Sequence, residues 1–335
     1  NIADEENIAD EEMDNQEGWQ YSEDKAMSSF IAYLNNIAKT IPPYYNKNQI
    51  SISQFYYFCN HNFFSKRYIS FEIPKKNGGT RLIHAPVNPL KFQLRCLNKF
   101  IQELFEIHEA ANGFVKNKSI TDNAKMHVGK KYVYNIDLKD FFHCFSRVQI
   151  EKMFQKKPFN FNNPENIHIS KKLSYLCTHP LKVGSNIETV LPQGSPTSPS
   201  ITNVLCYTFD EKLTSLAKRF NADYSRYADD ITFSCDENIF VFRKFLKPLN
   251  KIVEKSGFKI NEKKTRLQNI YFKQEVTGLI VNEKVNVQKR YIKNIRMWLY
   301  YLERYDIKKT LSIFSKEYNK DKGHVKDQLP SIFLV

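Results

Sequence analysis

Tyr227-Ala228-Asp229-Asp230 joins two β-rich runs, residues 223–226 and 231–234. We predict that this tetrapeptide, YADD, forms the tip of a β-hairpin that aims at least one carboxylate outward. Two adjacent carboxylates repel each other unless a cation or solvent screens them. Oxygen ligands without nearby Cys or His spacing favour a hard divalent ion, Mg²⁺ or Mn²⁺, over zinc. An isolated Asp-Asp pair, however, is more often a solvated turn or a helix cap.

A third carboxylate follows a predicted buried strand upstream. Residues 133–136 read VYNI, and Asp137 comes directly after them, at the kind of strand end where sheets present chemistry. Carboxylates from neighbouring strands can hold two metal ions about 3.5–4 Å apart, which promotes in-line displacement at phosphorus. The sequence therefore predicts phosphoryl transfer, with Asp137, Asp229 and Asp230 as catalytic residues and ligands of two Mg²⁺ ions, Mn²⁺ being the alternative.

The segment between the acidic strands carries a resemblance to a known family. Residues 191–199 read LPQGSPTSP, and a strand ending in Asp, then LPQG-SPTSP, then YADD is the ordered signature of reverse transcriptases. Residues 257–265 (GFKINEKKT) and 276–279 (VTGL) resemble the next two motifs of that family. The VTG triplet and the NAxxH pattern at residues 123–127 resemble the bacterial retron enzymes in particular. The resemblance covers roughly residues 66–296.

The resemblance implies an α+β fold of the right-hand polymerase type, with fingers, a palm whose antiparallel sheet carries the YADD hairpin, and a helical thumb. The predicted parts are an acidic disordered tail (residues 1–25), N-terminal helices and fingers (26–130), the palm (131–283, with a fingers insertion at about 148–190) and the thumb (284–335). Because the sequence stops abruptly, a missing C-terminal portion of the thumb is a reasonable hypothesis.

Apolar spacing predicts several individual elements. Helices are expected at residues 27–37, 89–107 and 288–305, and a further helix is expected to continue through residues 201–213. Residues 68–74 and 80–84 alternate like the strands of a hairpin. The last helix is predicted to have one apolar face, formed by Tyr291, Ile295, Trp298, Leu299 and Leu302.

The resemblance also implies a nucleotide site made of Lys75, Arg81, Phe142, Gln193 and Gly194. Lys75 and Arg81, on the fingers hairpin, are expected to bind the triphosphate. Phe142 is expected to exclude a 2′-hydroxyl, while Gln193 and Gly194 line the sugar side. Lys263 and Lys264 are expected to place a cation beside the leaving pyrophosphate, one of them as general acid, and Lys264 is preferred over Lys263. Without the resemblance, Lys75, Arg81 and Lys264 would be interpreted as solvated charges in turns, and Phe142 as a core residue.

A further set of residues is predicted to bind RNA, namely Asn123, His127, Thr277, Gly278, Lys289, Arg290, Lys293 and Arg296. The four basic residues lie on the predicted thumb helix, where they can follow a phosphate backbone. For His127 the alternative is a satisfied buried hydrogen bond, which is the commoner role of a lone histidine.

Composition agrees with a protein that binds polyanions. The chain has 50 Lys and Arg against 36 Asp and Glu, and residues 1–24, which begin with a repeated NIADEE hexapeptide, contain acids but no basic residue. The strongly basic remainder is expected to attract nucleic acid in a salt-dependent way. The six cysteines show no CxxC spacing and are predicted to be reduced core residues. No apolar run approaches the length of a membrane span and no export signal is visible, so we expect a cytoplasmic protein without membrane contact.

Together these features predict an RNA-directed DNA polymerase. The resemblance to retron enzymes implies that it copies its own structured noncoding RNA (msr-msd) into DNA from dNTPs. Synthesis is expected to start at a guanosine 2′-hydroxyl, to give branched msDNA, and to serve antiphage defence with a separate effector protein. Two alternatives remain: another bacterial reverse transcriptase, of the group II intron or diversity-generating type, or mainly an RNA-binding scaffold or antitoxin for an effector.

Overall fold

The computed structural model describes residues 25–41, 49–74, 79–183 and 185–320. The α-helices are α1 (Lys25–Ala38), α2 (Ile52–Cys59), α3 (Asn88–Leu104), α4 (Ile120–Lys125), α5 (Arg147–Gln155), α6 (Ile167–Cys177), α7 (Ser198–Leu205), α8 (Tyr207–Arg219), α9 (Arg243–Lys255), α10 (Lys289–Arg304) and α11 (Ile307–Lys320). The strands are β1 (Tyr68–Pro74), β2 (Thr80–Pro86), β3 (Tyr132–Asp137), β4 (His179–Val183), β5 (Asn186–Val190), β6 (Asp223–Tyr227), β7 (Asp230–Cys235), β8 (Arg266–Asn269), β9 (Glu275–Val276) and β10 (Leu279–Ile280). Apart from Lys25, the predicted acidic tail lies outside the described residues.

Four strands form an antiparallel sheet in the order β6-β7-β3-β8, which we call the central sheet. Strand β7 carries β-branched or aromatic side chains at Ile231, Thr232 and Phe233, which suits a strand that is buried from Ile231 to Cys235. Its Phe233 packs against Tyr224 of β6, with ring centroids 5.0 Å apart, and against Phe245 of α9 at 5.3 Å. Burying such a ring contributes about 1.5–3 kcal/mol, so core packing anchors the strand that carries Asp230.

The buried apolar residues form two clusters. The large one joins α1 and α3 to the central sheet and to α8 and α9. A small one contains Ala124 of α4, Val133 of β3 and Val276 of β9, together with Leu279 and Val281. The alanine of the NAxxH pattern and the valine of the VTG triplet therefore belong to the same small core, which also contains Val133 of β3.

The hairpin predicted around residues 68–84 is present as β1 and β2, whose register pairs Ile73 with Arg81. It is attached to the LPQG segment, because the backbone N–H of His84 donates to the carbonyl of Gln193 at 2.8 Å. A Cβ on Gly194 would lie 2.6 Å from the carbonyl oxygen of His84. Only glycine permits this approach, and the φ of +122° at Gly194 adds a second reason.

The predicted helices are present, with two differences. The helix expected through residues 201–213 is divided into α7 and α8 at Cys206, whose φ of −83° and ψ of −2° lie at the edge of the helical region. The helix expected at 288–305 is α10, but no residue of it is buried against the described part of the chain. On its predicted apolar face Trp298 packs on Phe314 of α11, with centroids 4.7 Å apart, whereas Tyr291 and Leu299 stay about half exposed at 52% and 53%.

The mixture of helices with a central antiparallel sheet confirms the predicted α+β class. All six cysteines are unpaired, and all but Cys144 are buried, as predicted. Burial raises the pKa of the Cys59, Cys96, Cys177 and Cys206 thiols to about 12, which makes them inert. Within the described ranges, no helix combines the length and the apolar character that crossing a bilayer demands.

Candidate active site

The YADD segment forms a hairpin turn at one end of the central sheet. Tyr227 of β6 pairs with Asp230 of β7, so Ala228 and Asp229 make up the two-residue loop. Loops of this length need a positive φ, and Ala228 has φ of +58° although it is not glycine. Left-handed torsion in an alanine costs about 1 kcal/mol, so the surroundings of the turn must hold it there.

The register of the sheet brings the third acid to the same place. Asp137, the last residue of β3, lies directly opposite Asp230 on β7. The backbone N–H of Leu138 donates to the carbonyl of Asp229 at 3.1 Å, which ties the end of β3 to the loop. Directly opposed strand residues have Cβ atoms about 4.5–5.5 Å apart. The structure therefore brings together the three acids that the sequence singled out.

Asp137 is held by two residues of the segment before β8. Its Oδ1 accepts a hydrogen bond from Nδ2 of Asn261 at 2.9 Å, and its Oδ2 accepts one from Nζ of Lys264 at 2.8 Å. Its carbonyl also accepts from the backbone N–H of Asn261 at 2.8 Å. The hydrogen bond to Asp137 raises the pKa of Lys264, so Lys264 remains a cation and a proton donor.

The two hairpin acids sit in an unfavourable electrostatic position. Removal from bulk solvent, followed by the charges of Asp229 and Asp137, raises the pKa of Asp230 to about 6. Desolvation and the charge of Asp137 likewise raise the pKa of Asp229, while Lys264 and Arg81 act in the opposite direction. Asp230 still reaches water, so solvent and ions screen part of this repulsion. A bound cation would relieve it.

The donor set fits a hard divalent cation, because carboxylate oxygens suit Mg²⁺ and Mn²⁺. Across the described ranges, no three acidic, His or Cys side chains converge closely enough to hold a metal ion. Asn261 and Lys264 occupy both oxygens of Asp137 instead. Each of these oxygens keeps a second acceptor position, so joint coordination by Asp137, Asp229 and Asp230 requires the three side chains to move closer together.

The residues predicted to contact a nucleotide lie around this end of the sheet. Arg81 is exposed and close enough to influence the pKa of Asp229. Gln193 and Gly194 lie against β2, as described above, with Gly194 exposed. Phe142 is half-buried in the 3₁₀ turn after β3, and its ring meets that of Phe141 edge to face at 5.6 Å. Lys75 falls outside the described residues.

The residues predicted to bind RNA divide into two groups. Asn123 and His127 are buried, and His127 is fully so. Its Nδ1 and Nε2 each make a 2.7 Å hydrogen bond, to Ser234 of β7 and Ser225 of β6 respectively. Neither side chain is accessible to RNA in this structure, so it does not support direct RNA contact by Asn123 and His127. For His127 it shows the alternative, a buried imidazole whose hydrogen bonds are satisfied.

The second group is accessible. Thr277 and Gly278 form the turn between β9 and β10, and Oγ1 of Thr277 donates to the carbonyl of Ile120 at 3.2 Å. Gly278 is exposed, as are the four basic residues of α10: Lys289, Arg290, Lys293 and Arg296. These positions leave room for the predicted contact with a phosphate backbone.

Comparison with known proteins places this arrangement in a family. A family model described as reverse transcriptase (RNA-dependent DNA polymerase) matches residues 73–294, which include the three acids, the LPQG segment and Lys264. The chain belongs to the reverse transcriptase family. The fold of this family member is that of a right-hand polymerase.

Curated relatives of this reverse transcriptase family member are retron reverse transcriptases. The Mx162 protein of Myxococcus xanthus is 33% identical over 70% of this chain and 51% of its own length. The Mx65 protein of the same organism is 30% identical over 70% and 56%, and the Ec83 protein of Escherichia coli is 30% identical over 68% and 74%. The chain thus spans about half the length of the Myxococcus relatives. A solved telomerase structure from Candida albicans is similar more weakly, with a TM-score of 0.44 and 11% identity over 69% of this chain and 49% of that one.

Two features of this reverse transcriptase family member were missed by sequence reasoning. One is Asn261, which donates a hydrogen bond to Asp137 and which the sequence analysis quoted only as part of the GFKINEKKT motif, without a role. The other is a buried ion pair between Asp210 of α8 and Arg226 of β6, both fully inaccessible to solvent. A signal for it existed, because Asp210 lies among Phe209, Leu213 and other apolar residues on the buried face of a predicted helix.

Proposed function

We propose that this chain is an RNA-directed DNA polymerase of the retron type. The observation that carries the proposal is the register that sets Asp137 opposite Asp230, beside the loop that holds Asp229, with Lys264 bonded to Asp137. Membership of the reverse transcriptase family supports it. The reaction is attack of a primer hydroxyl on the α-phosphorus of a dNTP, with release of pyrophosphate.

Asp137, Asp229 and Asp230 would hold two Mg²⁺ ions, and such ions, when bound, would supply activation of the primer hydroxyl and neutralisation of the triphosphate. Arg81 and Lys75 bind the phosphates and keep the leaving group in line with the attacking hydroxyl. Lys264 gives its proton to the departing pyrophosphate oxygen. Phe142 closes the sugar side of the pocket against a 2′-hydroxyl, and Gln193 with Gly194 forms its wall.

The polymerase parts follow from this assignment. We assign the palm to residues 131–283, which contain the central sheet, and the fingers to the preceding helices and the β1–β2 hairpin within residues 26–130. The insertion at about 148–190 belongs to the fingers. Residues from 284 onward, which include α10 with its exposed basic residues, belong to the thumb and follow the backbone of the RNA.

The names of the relatives support the retron type. On this proposal the template is a structured noncoding RNA encoded beside the protein, and the first nucleotide is joined to a guanosine 2′-hydroxyl. The product is branched msDNA, and its biological role is antiphage defence together with a separate effector protein. The Thr277–Gly278 turn and the basic face of α10 are the proposed RNA contacts.

The deciding experiment is to express the protein with its neighbouring DNA and to extract the nucleic acid that copurifies. A discrete DNA whose mobility changes after both ribonuclease and debranching treatment supports the retron type. Primer extension without that product indicates a reverse transcriptase of another class. A protein that neither carries such DNA nor extends a primer, but binds RNA, would overturn the proposal in favour of a scaffold.

The active-site variant Asp229→Ala separates catalysis from scaffolding in cells. If antiphage protection and msDNA are both lost while the protein accumulates normally, synthesis is required. If protection survives in that variant, the catalytic account of the biological role fails.

A further inference from the structure

A buried polar network lies behind the catalytic hairpin. The guanidinium of Arg226 donates from Nε to Oδ1 of Asp210 at 2.8 Å and from Nη2 to Oδ2 at 2.7 Å. The hydroxyl of Tyr224 donates to the same Oδ1 at 2.7 Å. Arg226 and Asp210 are both completely shielded from solvent. This is the paired two-pronged contact that arginine forms with a carboxylate.

The remaining donors of Arg226 are directed at the hairpin and its support. Nη1 donates to the carbonyl of Ala228 at 3.3 Å, and Nη2 donates to Oδ1 of Asn203 on α7 at 3.1 Å. Asn203 in turn donates from Nδ2 to the carbonyl of Gly113 at 3.0 Å. The network thus reaches the catalytic loop by a direct bond and by a second route through Asn203.

In the route through Asn203, Gly113 is the residue that packs directly against the YADD loop. A Cβ at Gly113 would lie 2.5 Å from the backbone nitrogen of Ala228 and 3.0 Å from the carbonyl carbon of Tyr227. The backbone next to Gly113 is itself fixed to β6, since Arg226 N–H donates to Ala110 and Asn112 N–H donates to Arg226, both at 2.8 Å. The loop is therefore confined on one side by Gly113 and held on the other by Arg226.

Burial of this ion pair is not explained by stability. Placing two charges in the interior costs more than well-packed apolar residues of similar volume would. Arginine can satisfy several acceptors in one plane, which an apolar pair cannot do. What the network provides here is a fixed position for Ala228, whose unfavourable φ of +58° precedes Asp229 directly.

We propose that Arg226, anchored by Asp210, is a positioning residue that sets the direction in which the loop presents Asp229 to the metal ions. The proposal rests on the assignment of Asp229 as a metal ligand in the proposed function. Arg226 is completely buried, so it acts on the loop through the carbonyl of Ala228 and through Asn203.

Two variants test the two routes. Arg226→Lys keeps a cation beside Asp210 but loses the planar set of donors, and Asn203→Ala keeps the ion pair while removing the link to Gly113. The matched control is Leu213→Ala, which opens the core one helical turn after Asp210 on the same helix and has no bond to the loop. Circular dichroism and thermal melting establish the folded fraction of each protein.

The first readout is Mn²⁺ binding to protein without RNA or nucleotide, followed by electron paramagnetic resonance. The Mn²⁺ binding that is lost in Asp229→Asn is the binding that depends on Asp229, and the other variants are compared in that component. We expect Arg226→Lys and Asn203→Ala to weaken this part by about 10-fold or more, the usual effect of losing a partner behind a metal ligand. In primer extension, kcat should fall by a similar factor, with the KM for dNTP changed by less than about twofold.

Leu213→Ala should lower the melting temperature and leave Mn²⁺ affinity unchanged. Folded Arg226→Lys and Asn203→Ala proteins with wild-type Mn²⁺ affinity would overturn the proposal, and so would an equal loss in Leu213→Ala. Because the Mn²⁺ measurement needs no template, a wild-type protein that binds the ion but extends no primer contradicts the proposed function and leaves the positioning role standing. Mn²⁺ binding that Asp229→Asn does not reduce would overturn both.

Discussion

Nζ of Lys264 lies 2.8 Å from Oδ2 of Asp137, so an ammonium group occupies one oxygen of a predicted metal ligand. The side chain of Lys264 is itself 59% exposed, whereas that of Asp137 is 10% exposed. The lysine can therefore swing into solvent while the carboxylate stays in place. In this arrangement the ammonium offsets the charge of Asp137 and is a proton donor within hydrogen-bond distance of it.

Replacing Lys264 by alanine should slow nucleotide addition by about 10²–10⁴-fold, the usual contribution of a positioned general acid. The KM for dNTP should change little, because the proton is needed in the transition state. Single-turnover extension of a primed template measures the step. Lys263→Ala, which removes the neighbouring exposed cation, is the control, and an equal loss in both variants would show that general basic charge is responsible.

Replacing Asp230 by asparagine should stabilise the protein in EDTA at pH 7.5. The native state binds a proton at Asp230 more tightly than the unfolded chain, since its pKa is raised from 3.8 to about 6. The stability linked to this proton is present below pH 3.8 and is lost as the pH rises through about 6. The variant should thus melt higher than wild type at pH 7.5 and equally at pH 4.

The same Asp230→Asn protein should lose the increase in melting temperature that Mg²⁺ gives the wild type. Glu237→Gln, which removes a charge just beyond the other end of β7, is the control for the change in net charge. A Mg²⁺ effect that persists in Asp230→Asn, or a melting difference independent of pH, would contradict the assignment.

Protonation of His127 should contribute to acid unfolding. Burial, followed by the charge of Lys130, lowers the pKa of His127 from 6.5 to about 3. The native state therefore holds it neutral, and this contribution to stability is complete above pH 6.5 and is lost as the pH falls towards 3. One proton is worth about 1.4 kcal/mol for each pH unit, or on the order of 2–3 kcal/mol between pH 6.5 and 4.5.

Urea unfolding of wild type and His127→Gln at pH 7.5 and 4.5 measures this contribution. The variant should be less stable at pH 7.5, because its hydrogen bonds to two serines are weakened, and the difference should shrink at pH 4.5. All other ionisable groups are common to both proteins and cancel in the comparison. A difference of the same size at both pH values would mean that burial does not lower the pKa of His127 below its value in the unfolded chain.

The exposed basic residues of α10 should account for part of the salt dependence of RNA binding. Each phosphate contact that is lost lowers the slope of log K against log salt by about 0.7–0.9. Lys289→Gln, Lys293→Gln and Arg296→Gln should each reduce the slope by up to this amount, as measured by filter binding from 50 to 300 mM salt, a range of about sixfold. Lys244→Gln and Lys247→Gln on α9 are the controls, and an unchanged slope in the α10 variants would remove this helix from the RNA surface.

Replacing Phe142 by valine should admit ribonucleotides. The shorter side chain leaves space for a 2′-hydroxyl, and the preference for dNTP over rNTP in kcat/KM should fall by about 10-fold or more. Phe141→Leu tests the neighbouring ring, which is buried against Phe258 at 5.6 Å. If both variants lose activity on dNTP and keep their preference, Phe142 is a core residue and not a gate.

The acidic hairpin and the strand before Asp137 could be predicted because their signals are local. Alternation of side chains and a two-residue turn identify strands from a few neighbouring residues. The pairing of Asp137 with Asp230 could not be derived in this way, since register depends on how distant strands meet. The sequence predicted only that Asp137 meets the hairpin acids at a shared metal site, and the structure shows the register that sets Asp137 opposite Asp230.

The sequence did not reveal the roles of residues whose partners lie far away along the chain. Asp210 and Arg226 are 16 positions apart, and only the fold shows that one strand and one helix bury them together. Asn261 contacts Asp137 across 124 positions. His127 was assigned to RNA because its pattern is typical of retron enzymes, whereas a pattern alone does not distinguish a side chain that binds a ligand from one that holds the scaffold.

The hydrogen bonds of His127 have a geometric consequence for catalysis. Its two nitrogens join Ser225 on β6 to Ser234 on β7. One imidazole therefore helps to fix the register of the two strands that flank the YADD loop. A slip by one residue would turn every side chain of a strand to the opposite face of the sheet, and Asp230 would leave the cleft. Ser234 lies four residues from Asp230 along β7, or about 13 Å, so a buried histidine helps to fix which way the side chain of this predicted metal ligand points.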